Sequence, residues 1–264
     1  MGERKRIAIS VVSQTIDDML KDFDTVVDIQ KKDKHHEYII EARADYLKKL
    51  DGGISRLAKH NGLKKIFTAR HKNEAGNDKN AGFKGDEKER TELYHTAIDS
   101  GFDYIDFEHN HPIELSELSQ EARTKVKIIR SFHNFEKGNC KDLQFKYYPI
   151  AKAKPDIVKI AMMISTKEDS YKIAVFPEKT SVPTIAVPMG KAWHVPLARI
   201  ISLYHKGYLS FACLPGKEAA KGQIDAYKFR ELSLRVSEIY EKEDLGVRKL
   251  NCKKFSEIGK QIGL

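Results

Sequence analysis

Eight short apolar or alternating runs recur at regular intervals along this chain, at 6–12, 37–45, 64–70, 104–108, 126–133, 156–163, 184–189 and 209–214. The stretches between them carry apolar residues at helical spacing, as in Ile16, Met19, Leu20 and Phe23, or Leu93, Tyr94, Ala97 and Ile98. Strands alternating with helices imply a parallel sheet, and eight is the number that closes into a barrel. A length of 264 residues suits such a barrel as one domain. The rival is an open doubly wound sheet, which would bring a glycine-rich phosphate turn after the first strand; Ser10-Val-Val-Ser-Gln14 has no glycine. The expected fold is therefore α/β, a (β/α)8 TIM barrel in a single domain over 1–242. Its last helix is expected at about 224–240, and 243–264 reads as a C-terminal helical extension or tail.

A barrel of this kind places functional residues at the C-terminal ends of its strands and in the loops that follow. Polar residues do fall there. The second run ends Glu41-Ala-Arg43-Ala-Asp45, and the two-residue period of a strand puts its three charges on one face. The third ends Phe67-Thr-Ala-Arg70 and is followed by Glu74; the fourth ends Asp106-Phe-Glu108 and the fifth Ser131-Phe-His133. Each taken singly is explained by a surface charge or a strand-end ion pair. Five successive strands with polar residues at these positions do not share that explanation easily.

The last of these five strands, the sixth run of the chain, carries Lys159 inside the apolar run Asp156-Ile-Val-Lys159-Ile-Ala-Met-Met163. Burying an ammonium without a partner costs several kcal/mol or more, so packing alone does not place a lysine there. Desolvation disfavours the charged amine, and a neutral amine attacks carbonyl carbon. The same run also accommodates a lysine whose head reaches solvent or an ion pair. In a barrel, the fifth and sixth strands are neighbours, so His133 is placed to relay protons while an imine on Lys159 forms, reacts and hydrolyses. Arg43 and Arg70 are placed to disfavour the charged lysine and to orient an anionic or hydroxylated substrate. Glu41 is placed to accept hydrogen bonds from substrate hydroxyls.

Composition removes other classes. Net charge is +9, but the basic residues are scattered along helix-like stretches and rarely interleave with aromatics, so nucleic acid is not expected as a partner. No apolar stretch approaches membrane-spanning length, and the opening residues run directly into a strand, so neither a membrane nor a targeting segment is expected. Three cysteines, Cys140, Cys213 and Cys252, lack metal-ligand spacing and suit a reducing, cytoplasmic setting. His35, His36, His109 and His111 also lack a metal-binding pattern. Trp193 and His194 allow a stacking platform or a second proton donor, but a packed loop-to-helix junction is the preferred reading.

The motifs Glu41-Ala-Arg43-Ala-Asp45-Tyr, Phe67-Thr-Ala-Arg70 with Glu74, Ile105-Asp-Phe-Glu108, Ser131-Phe-His133-Asn-Phe135, Asp156-Ile-Val-Lys159-Ile-Ala, Pro188-Met-Gly190 and Gly222-Gln223-Ile stand in order along about 6–240. Together they resemble the type I 3-dehydroquinate dehydratases. The resemblance implies a hydro-lyase of the shikimate pathway, which leads to chorismate and the aromatic amino acids. It also implies that Lys159 forms a Schiff base with the ketone of 3-dehydroquinate and that His133 is proton donor and acceptor. It places Ser10, Glu41, Arg43, Arg70, Arg199 and Gln223 around the substrate, the last two on its carboxylate, with Glu74 in support. It implies no cofactor or metal, and a homodimer.

The chain departs from the family in two places. Between Met189-Gly190 and Arg199 it reads Lys191-Ala-Trp-His-Val-Pro-Leu-Ala, about two residues longer than usual, with Ala198 where a serine precedes the arginine. In the lid, Ala219-Ala-Lys221-Gly-Gln223 replaces a Ser-Ala-Pro-Gly-Gln segment, losing a hydroxyl and a stiffening proline. Two alternatives stay open on these residues: a Schiff-base aldolase-like barrel enzyme, and a catalytically weakened ligand-binding protein.

Overall fold

The computed structural model describes residues 4–50, 52–76, 78–112, 118–137, 140, 143–220, 222–245 and 249–264. Lys221, one of the lid residues singled out above, lies outside them. The strands are β1 (Lys5–Val11), β2 (His36–Arg43), β3 (Lys65–Thr68), β4 (Tyr104–Glu108), β5 (Lys127–Lys137), β6 (Ile157–Met163), β7 (Thr184–Met189) and β8 (Ser210–Cys213). They alternate with α1 (Ile16–Lys32), α2 (Gly53–Lys59), α3 (Glu87–Ser100), α4 (Gln120–Lys125), α5 (Leu143–Lys152), α6 (Lys167–Val175), α7 (His194–Tyr204) and α8 (Ala226–Lys242). A ninth helix, α9 (Cys252–Gln261), follows. Every strand pair is parallel, in the order β7-β6-β5-β4-β3-β2-β1-β8. The expected eight-stranded barrel is what the chain forms.

The two-residue period of each strand sorts its side chains between two apolar layers. Ile7, Ile9, Ile40, Phe67, Ile105 and Ile128 face the helices. Ala8, Ile39, Ile66, Tyr104, Ile129, Ile157, Ile185 and Leu209 form an apolar floor inside the barrel. Two residues further along β1 to β6, on the same inward face, stand Ser10, Glu41, Thr68, Asp106, Ser131 and Lys159. A polar layer thus lies directly above an apolar one. Several helices are started by side-chain caps, such as the Thr15 hydroxyl accepting from Asp18 N on α1 and a full Asp86/Glu89 capping box on α3.

The barrel has one weak joint. Strands β7 and β8 are bridged near their N-terminal ends by Thr184 and Gly207. Nearer the mouth, the side chain of Arg199 on α7 crosses the gap. Its Nε donates to Pro188 O on β7 at 3.0 Å and its Nη1 to Phe211 O on β8 at 3.4 Å.

Helix α9 packs on the outside against α6 and α7. Gly259 lets it come close: a Cβ there would stand 2.5 Å from Cζ3 of Trp193 and 3.2 Å from Cδ2 of Leu197. Trp193 therefore lies with one edge against α9 at the start of α7 while remaining 39% exposed, and His194, which is buried, accepts from or donates to the Ser170 hydroxyl of α6 at 2.7 Å. Neither lines the barrel mouth, which bears out the packed junction over a stacking platform. Among the described residues, no helix is long and apolar enough to cross a membrane.

Candidate active site

All nine residues expected to serve the site line one cavity at the C-terminal end of the barrel: Ser10, Glu41, Arg43, Arg70, Glu74, His133, Lys159, Arg199 and Gln223. Its remaining wall includes Phe135, Met189, Phe211, Ala219 and Ala220. Eight different segments supply these side chains, so the assembly exists only in the folded chain.

Lys159 is 5% exposed. Its Nζ lies 2.6 Å from Asp106 Oδ2 and 3.7 Å from Glu41 Oε1, and 4.2 Å above the centroid of the Phe211 ring. The two readings of this lysine, buried in an apolar run or ion-paired, are both realised. Its head stands in the polar layer, between the Asp106 carboxylate and the Phe211 ring.

Asp106 is the centre of the polar layer, and sequence reasoning gave it no role. Ser131 Oγ donates to its Oδ1 at 2.6 Å, and Arg70 Nη2 and Lys159 Nζ both converge on Oδ2, the arginine at 3.1 Å. Burial would raise this carboxyl, but the charges of Arg70 and Lys159 outweigh it and hold it well below the usual carboxylate range. The period of two from Tyr104 was the available signal, since it turns Asp106 inward beside Lys159.

The arginines are less available than expected. Arg70 also donates to Glu108 at 3.0 Å and to Ser131 Oγ at 2.8 Å. Arg43 forms a two-pronged pair with Asp45, at 2.9 and 2.8 Å. Strand β2 stops at Arg43 and a 3-10 turn over Ala44–Tyr46 brings Asp45 back beside it. Asp45 also accepts from Gly82 N at 3.0 Å, and Tyr46 OH donates to Asp78 at 2.8 Å, which ties down the loop after β3. Glu41 accepts from Ser10 at 2.6 Å and from Thr68 at 3.1 Å.

His133 follows Ser131 by two residues and faces the same interior. Its Nδ1 lies 2.9 Å from Glu74 Oε2. Burial, then the nearby Arg70 and Lys159 charges, pull the imidazole well below its ordinary value, so it is neutral at neutral pH. Burial pushes Glu74 up to about 7, with the Arg70 charge opposing and Glu108 adding to the rise.

Arg199 is 1% exposed, and burial pulls its guanidinium down to about 10. Its Nη2 is buried without a hydrogen-bond partner. A buried cation with an idle donor, facing a cavity and paired with no described carboxylate, calls for an anion. The lid after β8 is closed over the mouth by Gln223. Its Nε2 donates to Ser10 Oγ at 3.0 Å and to Ala212 O at 2.8 Å, while its Oε1 accepts from Ala219 N at 2.8 Å. Gly222, at φ +78°, comes so near Gly190 that a Cβ would meet the Gly190 carbonyl. Lys217 ties the lid's root to α1, meeting both Asp22 oxygens at 2.7 and 2.6 Å.

A second constellation imitates catalysis without access to substrate. His36 stands 2.8 Å from Asp33 and 3.0 Å from the Ser233 hydroxyl, the spacing of a nucleophile, base and orienting acid. Ser233 is fully buried within α8 and His36 starts β2, so the trio fastens a strand to a helix at the barrel's closed end.

A (β/α)8 barrel whose mouth carries a buried, imine-capable lysine beside a histidine–carboxylate pair is a lysine-dependent carbonyl enzyme in class. The profile of the family described as Type I 3-dehydroquinase matches residues 7–240, and the chain belongs to that family. It is 31% identical over 232 residues to a 3-dehydroquinate dehydratase of Methanococcus maripaludis, covering 86% of this chain and 97% of that one. A 3-dehydroquinate dehydratase of Methanocaldococcus jannaschii is 30% identical over 86% of this chain and 96% of its own. The crystal structure of 3-dehydroquinate dehydratase from Geobacillus kaustophilus superimposes with a TM-score of 0.73 at 20% identity, over 90% of this chain and 92% of that one, which supports the fold.

Proposed function

We propose that the chain is a 3-dehydroquinate dehydratase, removing water from 3-dehydroquinate to give 3-dehydroshikimate. The observation that carries this reading is the convergence of Lys159, the His133–Glu74 pair and the idle Nη2 of Arg199 on one cavity, in a member of that family. The Lys159 ammonium gives up one proton so that its amine adds to the C3 ketone, and that proton returns to the carbinol oxygen, which leaves as water to give an iminium. The C=N bond draws electrons from C2, so the neutral Nε2 of His133 removes the C2 proton to leave an enamine. Its electrons then expel the C1 hydroxyl, to which His133 returns the proton, and water leaves. Hydrolysis of the imine frees 3-dehydroshikimate and Lys159. Arg199 and Gln223 hold the carboxylate, Gln223 also keeping the lid closed, and Ser10, Glu41, Arg43 and Arg70 hold the ring hydroxyls. Glu74 accepts from Nδ1 and keeps the basic nitrogen turned to the substrate.

Further parts of the reading are a catalytic barrel over 1–242 with 243–264 as an appended buttress, a homodimer, and a cytoplasmic site of action. The packing of α9 on α6 and α7 supports the first, and the free thiols of Cys140, Cys213 and Cys252 support the last. Light scattering on a sizing column tests the dimer. The function is tested by incubating the protein with 3-dehydroquinate and borohydride, mapping the adduct by mass spectrometry and following 3-dehydroshikimate absorbance. An adduct on Lys159 with product is expected; folded protein giving neither would refute the reading, and an adduct without product would favour the weakened ligand binder.

A further inference from the structure

The polar layer contains one carboxylate in direct contact with the atom that reacts, and nothing in the chemistry above uses it. Asp106 Oδ2 lies 2.6 Å from Lys159 Nζ, nearer than Glu41 Oε1 at 3.7 Å. It cannot swing away. Ser131 holds Oδ1 from β5 and Arg70, just past the end of β3, holds Oδ2, each within hydrogen-bond distance, and Asp106 is fully buried.

When Lys159 condenses with a ketone, the ammonium becomes an iminium at the same place. The positive charge stays, while the donors on nitrogen fall from three to one. In a water-poor site that charge needs a fixed partner, and an uncompensated imine gives up its proton and loses its power as an electron sink. We propose that Asp106 is a catalytic residue whose carboxylate is the counter-ion of the iminium formed on Lys159. Asp106 keeps the intermediate protonated and carries no proton itself. No bond to it forms or breaks.

Arg70 gives the arrangement its balance. Removal of the C2 proton moves electrons through C2=C3 onto nitrogen and discharges the iminium until the hydroxyl leaves, so an unshared carboxylate would hold the charged state too firmly. By donating to the same Oδ2, Arg70 draws off part of the carboxylate's charge. The groups facing Asp106 are therefore Arg70 from the loop after β3, Ser131 and His133 from β5 and Lys159 from β6, with Glu41 of β2 facing the lysine from the other side. Among these, His133 is neutral and Glu41 is more than an ångström further from Nζ than Asp106.

The inference rests on the imine chemistry of the proposed function, and the test separates the two. Wild type and Asp106→Asn are mixed with 3-dehydroquinate across a pH series, and the adduct on Lys159 is trapped with cyanoborohydride, which reduces the iminium in preference to the ketone. The alkaline limb of kcat is measured in parallel, since it reports groups in the bound complex. In Asp106→Asn, the midpoint of trapping and the alkaline limb should both fall by about one pH unit or more, a tenfold change in the protonation equilibrium. Glu41→Gln should move them less. Wild type that traps an adduct while Asp106→Asn keeps its midpoint overturns the counter-ion and leaves the function standing. An equal or larger shift in Glu41→Gln assigns the role to Glu41 and overturns the proposal. Wild type that yields neither adduct nor product overturns both. If circular dichroism shows Asp106→Asn unfolded, Ser131→Ala decides, because it frees one carboxylate oxygen and keeps the charge. A raised midpoint there supports the proposal, and an unchanged or lowered one refutes it.

Discussion

One oxygen of Glu74 holds His133 twice: Oε2 lies 2.9 Å from the ring Nδ1 and 3.1 Å from the backbone nitrogen. Backbone and ring are thereby fixed together, and the ring can turn neither its plane nor its tautomer without breaking a contact. As a carboxylate, Glu74 accepts from Nδ1–H and leaves Nε2 as the base. Once protonated, it offers a hydrogen to Nδ1 and reverses the tautomer.

Activity should therefore fall as pH drops through about 7, where Glu74 takes up its proton. In Glu74→Gln, kcat should drop about tenfold or more and this acid limb should vanish from the pH–rate profile. Persistence of the limb in that variant would separate Glu74 from it. Stability runs the other way. The fold raises Glu74 from 4.5 to about 7, so it favours the neutral acid; that contribution is complete below about 4.5 and is lost as pH rises through about 7. Denaturant titrations of wild type and Glu74→Gln should differ in the variant's favour at pH 8 and converge at pH 4.

Replacing Arg199 by lysine keeps a cation but removes the planar fork. KM for 3-dehydroquinate should rise about tenfold to a hundredfold, with a smaller change in kcat, as expected when a charge-assisted pair is lost. Steady-state kinetics settle it; an unchanged KM would place the carboxylate elsewhere.

The lid's root depends on Lys217 and Asp22, which are partly open to solvent. An ion pair of that exposure contributes about 1 kcal/mol or less. Lys217→Met should consequently lower kcat/KM only about two- to fivefold, and the wild-type rate should show a salt dependence that the variant lacks. Stopped-flow or steady-state rates at two ionic strengths make the comparison.

Trp193 is the chain's single tryptophan and lies against Gly259 of α9. Gly259→Leu should push the indole outward, shifting its emission to the red and lowering Tm by several degrees. An unshifted spectrum would show that α9 does not press on this ring.

Much of this was legible beforehand because the two-residue period of a strand records burial directly. The run at 184–189 coincides with β7 and that at 104–108 with β4. Asp106 was visible as a residue and invisible as a role, since its meaning comes from Ser131 and Lys159 on two other strands and Arg70 in the loop after a third. Asp45 shows the opposite failure. Alternation carried the strand through it and put it on the face of Glu41 and Arg43, but the backbone turns at Ala44, and Asp45 returns to clamp Arg43. The two extra residues before Arg199 were countable; that its guanidinium spans from Pro188 to Phe211 was not, because those carbonyls are idle only where β7 and β8 part.

That span makes the ligand's anchor and the last stitch of the barrel the same side chain. Nε and Nη1 hold the staves together while Nη2 waits for the carboxylate. Anything that parts β7 from β8 withdraws the anchor, and a bound carboxylate resists the parting. Occupancy of the mouth is thus written into the rigidity of one joint, where amide exchange along two strand edges would read it without touching the chemistry.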